Sequence, residues 1–128
     1  MAYTSLTVDS YELIWNTGNV SSKGLIRMFF DRGHGLKGKI EIFFLSPGHV
    51  PDNPEDGWET NTPENHHIVI YTEAVRFEPM YAILRSEKPV YYSFRRGDPG
   101  ADGRVAVFAP KLGSADAEAI GEIEAGAP

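Results

Sequence analysis

Apolar and polar residues alternate along most of this chain, and the alternation predicts strands. From Val90 to Arg95, Val90, Tyr92 and Phe94 face one way and Tyr91, Ser93 and Arg95 the other, the period-two pattern of a strand with one buried face. Just before it, Phe77, Tyr81 and Ile83 alternate with Met80, Ala82 and Leu84, and Ser86-Glu87-Lys88-Pro89 reads as a turn. The pattern thus predicts a β-hairpin over 76–96 around which the rest is organised. A second hairpin is predicted from Gly24–Asp31 and Lys39–Leu45. Ile26, Met28 and Phe30 share a face there with Ile40, Ile42 and Phe44, and the turn lies at Asp31-Arg32-Gly33-His34-Gly35. Further strands are predicted over His66–Ala74 and Arg104–Ala109. Near the amino terminus Leu6 and Val8 are in one phase and Tyr11, Leu13 and Trp15 in the opposite one, so a bulge or sharp bend is required at Asp9-Ser10.

Two stretches break the alternation. Ser46–Asn65 combines four prolines, five carboxylates and Trp58 without a period, and reads as a long surface excursion of the kind that often carries binding function. After Pro110 and Gly113, which are expected to close the sheet, Ser114 suits the N-cap of a short helix running to Glu124. The fold class implied is all-β: a single-domain, mainly antiparallel barrel or sandwich of seven or eight strands with a short C-terminal helix. Residues 1–112 form the β domain, and 113–128 a helix and tail packed on it or trailing from it. Ile42, Phe44, Ile70, Ile83 and Phe94 are the expected core.

Composition narrows the chemistry. With 128 residues the chain is the size of one domain with a substantial core. It has no cysteine, which removes disulfides, thiolate catalysis and cysteine-ligated zinc, and favours a reducing compartment. No export signal or membrane-length apolar run is legible, so a cytoplasmic location without membrane association is expected. The net charge of −6 argues against general nucleic-acid binding, although Arg85, Lys88, Arg95, Arg96 and Arg104 with Tyr91 and Tyr92 make one basic, aromatic neighbourhood.

The motifs are weak. Gly33-His34-Gly35-Leu36-Lys37-Gly38 spells the phosphate-loop pattern but precedes a strand rather than a helix, so it reads as a turn. Adjacent His66 and His67 would point to opposite faces of a strand and cannot share a metal in regular β geometry. A divalent-ion site from His49, Asp52, Glu55 and His67 is the chemically reasonable alternative, but the expectation is no metal, no cofactor and no catalytic residue. There is no nucleophile elbow and no calcium loop with its closing glutamate.

The function expected is therefore a non-enzymatic binding module for a small apolar or aromatic ligand, with Trp15, Trp58, Tyr71, Tyr81 and Tyr92 as lining residues. The alternatives are a metal-dependent enzyme using loop histidines and carboxylates, and a protein-interaction or homo-oligomer-forming module. Partners under these readings are a small molecule or a protein.

Overall fold

The computed structural model describes residues 3–15, 22–52 and 55–114. Eight strands form one sheet: β1 (Thr4–Val8), β2 (Ser10–Trp15), β3 (Ser22–Gly33), β4 (Leu36–Leu45), β5 (Gly57–Asn61), β6 (His66–Glu73), β7 (Val90–Pro99) and β8 (Val105–Ser114). Their order is β1-β7-β8-β5-β6-β4-β3-β2. The two ends of that order, β1 and β2, are consecutive in the chain. The sheet therefore curls until its ends meet at Asp9, whose amide donates to the Phe29 carbonyl at 2.8 Å, and the all-β domain is a nearly closed barrel. The phase switch at Asp9-Ser10 is the bend that lets one N-terminal stretch pair with β7 before it and with β3 after it.

Alternation explains what fills the barrel. Ile26, Met28 and Phe30 of β3, Ile40, Ile42 and Phe44 of β4, Ile68 and Ile70 of β6, Val90, Tyr92 and Phe94 of β7 and Val107 of β8 are all buried together. Four of the five expected core residues are among them. Ile83 is half-buried and packs against this core from outside the sheet.

The main departure is the segment before β7. Phe77–Ser86 is an α-helix, α1, preceded by a 3-10 turn at Ala74–Arg76, and not the first arm of a hairpin. The same apolar residues also satisfy a helical stripe: Phe77, Met80, Ile83 and Leu84 are spaced by three and four. Pro79 lies in the first turn, where the missing amide costs no hydrogen bond, and Glu78 suits the positive end of the helix. α1 lies across one mouth of the barrel. Phe77 stacks edge-on against Phe44 at 5.2 Å and touches Trp15 at 4.6 Å, and Leu84 joins the core.

A second departure is in the Pro-rich stretch. Gly57–Asn61 is a strand set between β6 and β8, so the irregular excursion is confined to the segments on either side of it. It also produces the one parallel pair among the described residues, β4 with β6, because the chain passes over the β6 position to build β5 and then returns. Gly57 is required at the entry. A Cβ there would sit 1.9 Å from the Val69 carbonyl oxygen, a backbone atom that cannot yield without moving β6. Gly57→Ala is expected to cost at least about 2 kcal/mol, read as a lower denaturant midpoint at unchanged m-value. A midpoint equal to wild type would show that the β5–β6 approach is looser than this.

β8 also runs longer than expected, through Pro110 to Ser114. Ser93 pairs with Lys111 and Arg95 with Phe108, so Ala109 and Pro110 together oppose the single residue Phe94. The bulge absorbs the proline, whose absent amide would otherwise break the ladder, and holds Ala109 at φ 50°. Asp56 pins it by accepting the Ala109 amide at 2.9 Å. The glycine-rich Gly33–Gly38 spelling is the β3–β4 hairpin turn, with positive φ at Gly33, His34 and Gly35. The helix expected from Ser114 to Glu124 lies outside the described residues beyond Ser114.

Candidate functional site

Buried apolar side chains pack together inside the barrel, and the largest of the depressions described below opens at a mouth. At the α1-covered mouth, β2 leaves the company of β1 at Asp9 and follows β3, while β1 stays with β7. The wedge between them opens a groove of about 610 Å³ lined by Val8, Tyr11, Leu84, Pro89 and Val90, with Asp9, Ser10, Glu87 and Lys88 contributing polar atoms. Leu84 and Val90 are core residues, so the groove runs from solvent down to the hydrophobic interior. Three elements set it: the bend at Asp9, the C-terminal end of α1 and the turn into β7. Asp9 is itself held by Lys37 at 2.9 Å.

The opposite mouth is closed by charge. Glu59 is 2% exposed and accepts two hydrogen bonds from the Arg96 guanidinium, through Nε and through Nη2 at 2.8 Å. Arg96 Nη1 donates to the Thr4 hydroxyl at 2.8 Å, and His66 Nε2 lies 2.6 Å from Glu59 Oε2, the oxygen that also accepts from Arg96 Nη2. Burial pushes the Glu59 carboxyl up, but the bonds from Arg96 and His66 outweigh it and hold it at about 2. An ionised carboxylate can only accept, so the proton lies on His66 Nε2. With every oxygen occupied, this cluster reads as a plug rather than a reactive site.

His67 faces outward, as alternation requires, and its Nε2 lies 2.5 Å from Glu41. Glu41 also accepts from Arg27 Nε at 2.9 Å, and Arg27 Nη1 reaches Glu12 at 2.9 Å. Burial raises the Glu41 carboxyl, and the bonds from Arg27 and His67 more than reverse that. Each of the paired histidines thus has its own glutamate, on opposite sides of the wall. His49 is exposed in the turn after β4, and no group of three or more metal-ligating side chains occurs among the described residues.

The five aromatic residues expected to line a pocket do not converge. Trp58 and Tyr71 come together on the outer wall, where both border shallow depressions of about 60 and 170 Å³. Trp15, 49% exposed, and Tyr81 both contact Phe77 at the helix-covered mouth. Tyr92 is inside the barrel at 1% exposure, where burial raises its hydroxyl above the ordinary tyrosine range. The outer wall also carries an apolar row that crosses four strands: Ile14, Leu25, Phe43 and Tyr71 are successive cross-strand partners, and the Phe43 and Tyr71 rings stack at 5.8 Å.

Of the groove residues, Tyr11, Leu84 and Val90 were legible as apolar positions, but nothing in the sequence said that they meet. The one available signal was the phase switch at Asp9-Ser10, since a bend that parts two strands opens a wedge beside it. The fold and these surfaces define a barrel-like all-β domain with one helix-covered apolar mouth and one ion-plugged mouth. No protein-family model, curated protein or solved structure matches the chain.

Proposed function

We propose that this protein is a non-enzymatic binding module that takes a small apolar or aromatic ligand in the groove beside Asp9. The observation that carries the reading is the groove itself. Its volume of about 610 Å³ lies in the range of roughly 300 to 1,000 Å³ typical of small-molecule sites, and barrel mouths are a common place for them. Apolar walls from Val8, Leu84, Pro89 and Val90 supply the driving force, and Asp9, Ser10 and Lys88 at the rim supply orientation. Catalysis is not part of the reading, because the strongly bound carboxylates Glu59 and Glu41 have their oxygens committed to Arg and His partners.

The test uses a neutral apolar probe, N-phenyl-1-naphthylamine, whose emission rises on leaving water. Ser10 is exposed on the groove wall, so Ser10→Trp fills the groove without touching the core. Probe binding is expected to weaken at least about tenfold, equivalent to 1.4 kcal/mol, with the thermal midpoint unchanged. Equal binding by wild type and Ser10→Trp, or none by either, would sink the groove as the ligand site.

A further inference from the structure

The outer wall where β5 meets β6 carries a depression separate from the groove. Trp58, Thr60, His67, Val69, Tyr71 and Arg104 together line a space of about 170 Å³, and none of the six lines the groove beside Asp9. The strand ladder explains why they meet. Trp58 pairs with Val69 and Thr60 with His67, and Tyr71 lies two residues beyond Val69 on the same outward face. Arg104 comes alongside Thr60, one residue beyond the Glu59–Val105 pair.

The lining is aromatic and rich in donors. Trp58 and Tyr71 supply rings, the second backed by the Phe43 ring at 5.8 Å. His67 is held in place through its Nε2 by Glu41. Arg104 is exposed, and its ion-pair partner Asp102 stands 3.7 Å from Nε, beyond hydrogen-bond reach. The other Asp102 oxygen, Oδ1, is taken by the Arg104 amide at 3.0 Å. The Arg104 fork therefore keeps donors for an acceptor from outside the chain. The indole, the two hydroxyls and the guanidinium can all donate, while among the described residues no carboxylate or carboxamide side chain lines the space.

From this lining we infer that the depression binds a small aromatic carboxylate, with its ring against Trp58 and Tyr71 and its carboxylate on the Arg104 fork. Size limits the ring. An apolar cavity of about 150 Å³ holds one benzene ring, so a space of about 170 Å³ takes a single six-membered ring with its substituent. Charge selects the substituent, because a guanidinium fork matches the two oxygens of a carboxylate through charge-assisted hydrogen bonds. A sugar ring of similar size is disfavoured, since its hydroxyls bring donors that find no carboxylate or amide acceptor in the lining. This site does not rest on the groove: it takes an anion through a cation, whereas the groove takes a neutral apolar group.

The experiment titrates the full chain with benzoate at constant ionic strength and follows the Trp58 indole N–H resonance by NMR. Acetate supplies the charge without the ring, and benzamide the ring without the charge. Expected is a saturable shift with benzoate, and affinity at least about tenfold lower for either control. Arg104→Gln should weaken benzoate at least about tenfold and leave benzamide unchanged, at wild-type thermal midpoint because the side chain is exposed. Ser10→Trp, which fills the groove, should leave benzoate binding as it is. A benzoate response no larger than that of acetate overturns the site, and so does benzoate affinity unchanged in Arg104→Gln or lost in Ser10→Trp. Tighter binding of methyl β-glucopyranoside than of benzoate, read on the same resonance, overturns the ligand class.

Discussion

Replacing residues 50–63 with a short Gly-Ser link is expected to abolish the cooperative fold. The Pro-rich stretch reads in the sequence as a surface excursion of the kind that carries binding function, but it contains β5, which pairs with β6 over five positions and with β8 over three. Without it the barrel loses the strand joining its two halves, β6 and β8 acquire open edges, and Ile68, Ile70 and Val107 lose their cover. Glu59 is lost as well, leaving Arg96 and His66 without their shared acceptor. Since a domain is stable by only about 5 to 15 kcal/mol in total, losses on this scale exceed the margin. The expected readout is a thermal melt without a cooperative transition and a flattened near-ultraviolet circular dichroism spectrum. A variant that melts cooperatively near the wild-type midpoint would show that β5 is peripheral and that the loop reading was right.

Glu59→Leu is expected to destabilise the protein by about 3 kcal/mol. Removing one partner of a buried pair typically costs roughly 3 to 5 kcal/mol, and the low end applies because the Arg96 side chain, at 38% exposure, recovers some water. The double variant Glu59→Leu/Arg96→Met should regain much of the loss, since no charge is then left without its counterpart. The same cluster sets an acid limit. Glu59 is held at about 2 against an ordinary value of 4.5, so its contribution is complete above pH 4.5 and disappears as pH falls through about 2. In that window wild type should lose about 3 kcal/mol that Glu59→Leu does not. Parallel stability profiles for the two proteins between pH 5 and 2 would show that Glu59 is not the group responsible.

The sequence by itself determined everything that depends on neighbours within a strand. Period-two alternation placed the inward residues of β3, β4, β6 and β7, the glycines of 33–38 gave a turn, and opposite phases on either side of Asp9 required a bend. It also assigned His66 and His67 to opposite faces, because that follows from pleating alone. Phe77–Ser86 was ambiguous at this level, since Phe77, Met80, Ile83 and Leu84 fit a helical stripe while adjacent apolar residues also mimic a strand buried on both faces. Covering the barrel mouth with Phe77 against Phe44 and Trp15 decided for the helix. Only the tertiary structure could put β5 beside β8, make β4 and β6 parallel, and bring Arg96 to Glu59 or Val8 to Leu84. These pairings join residues far apart in the chain. Their free energy comes from mutual burial that no local pattern records, so they exist only once the barrel has closed.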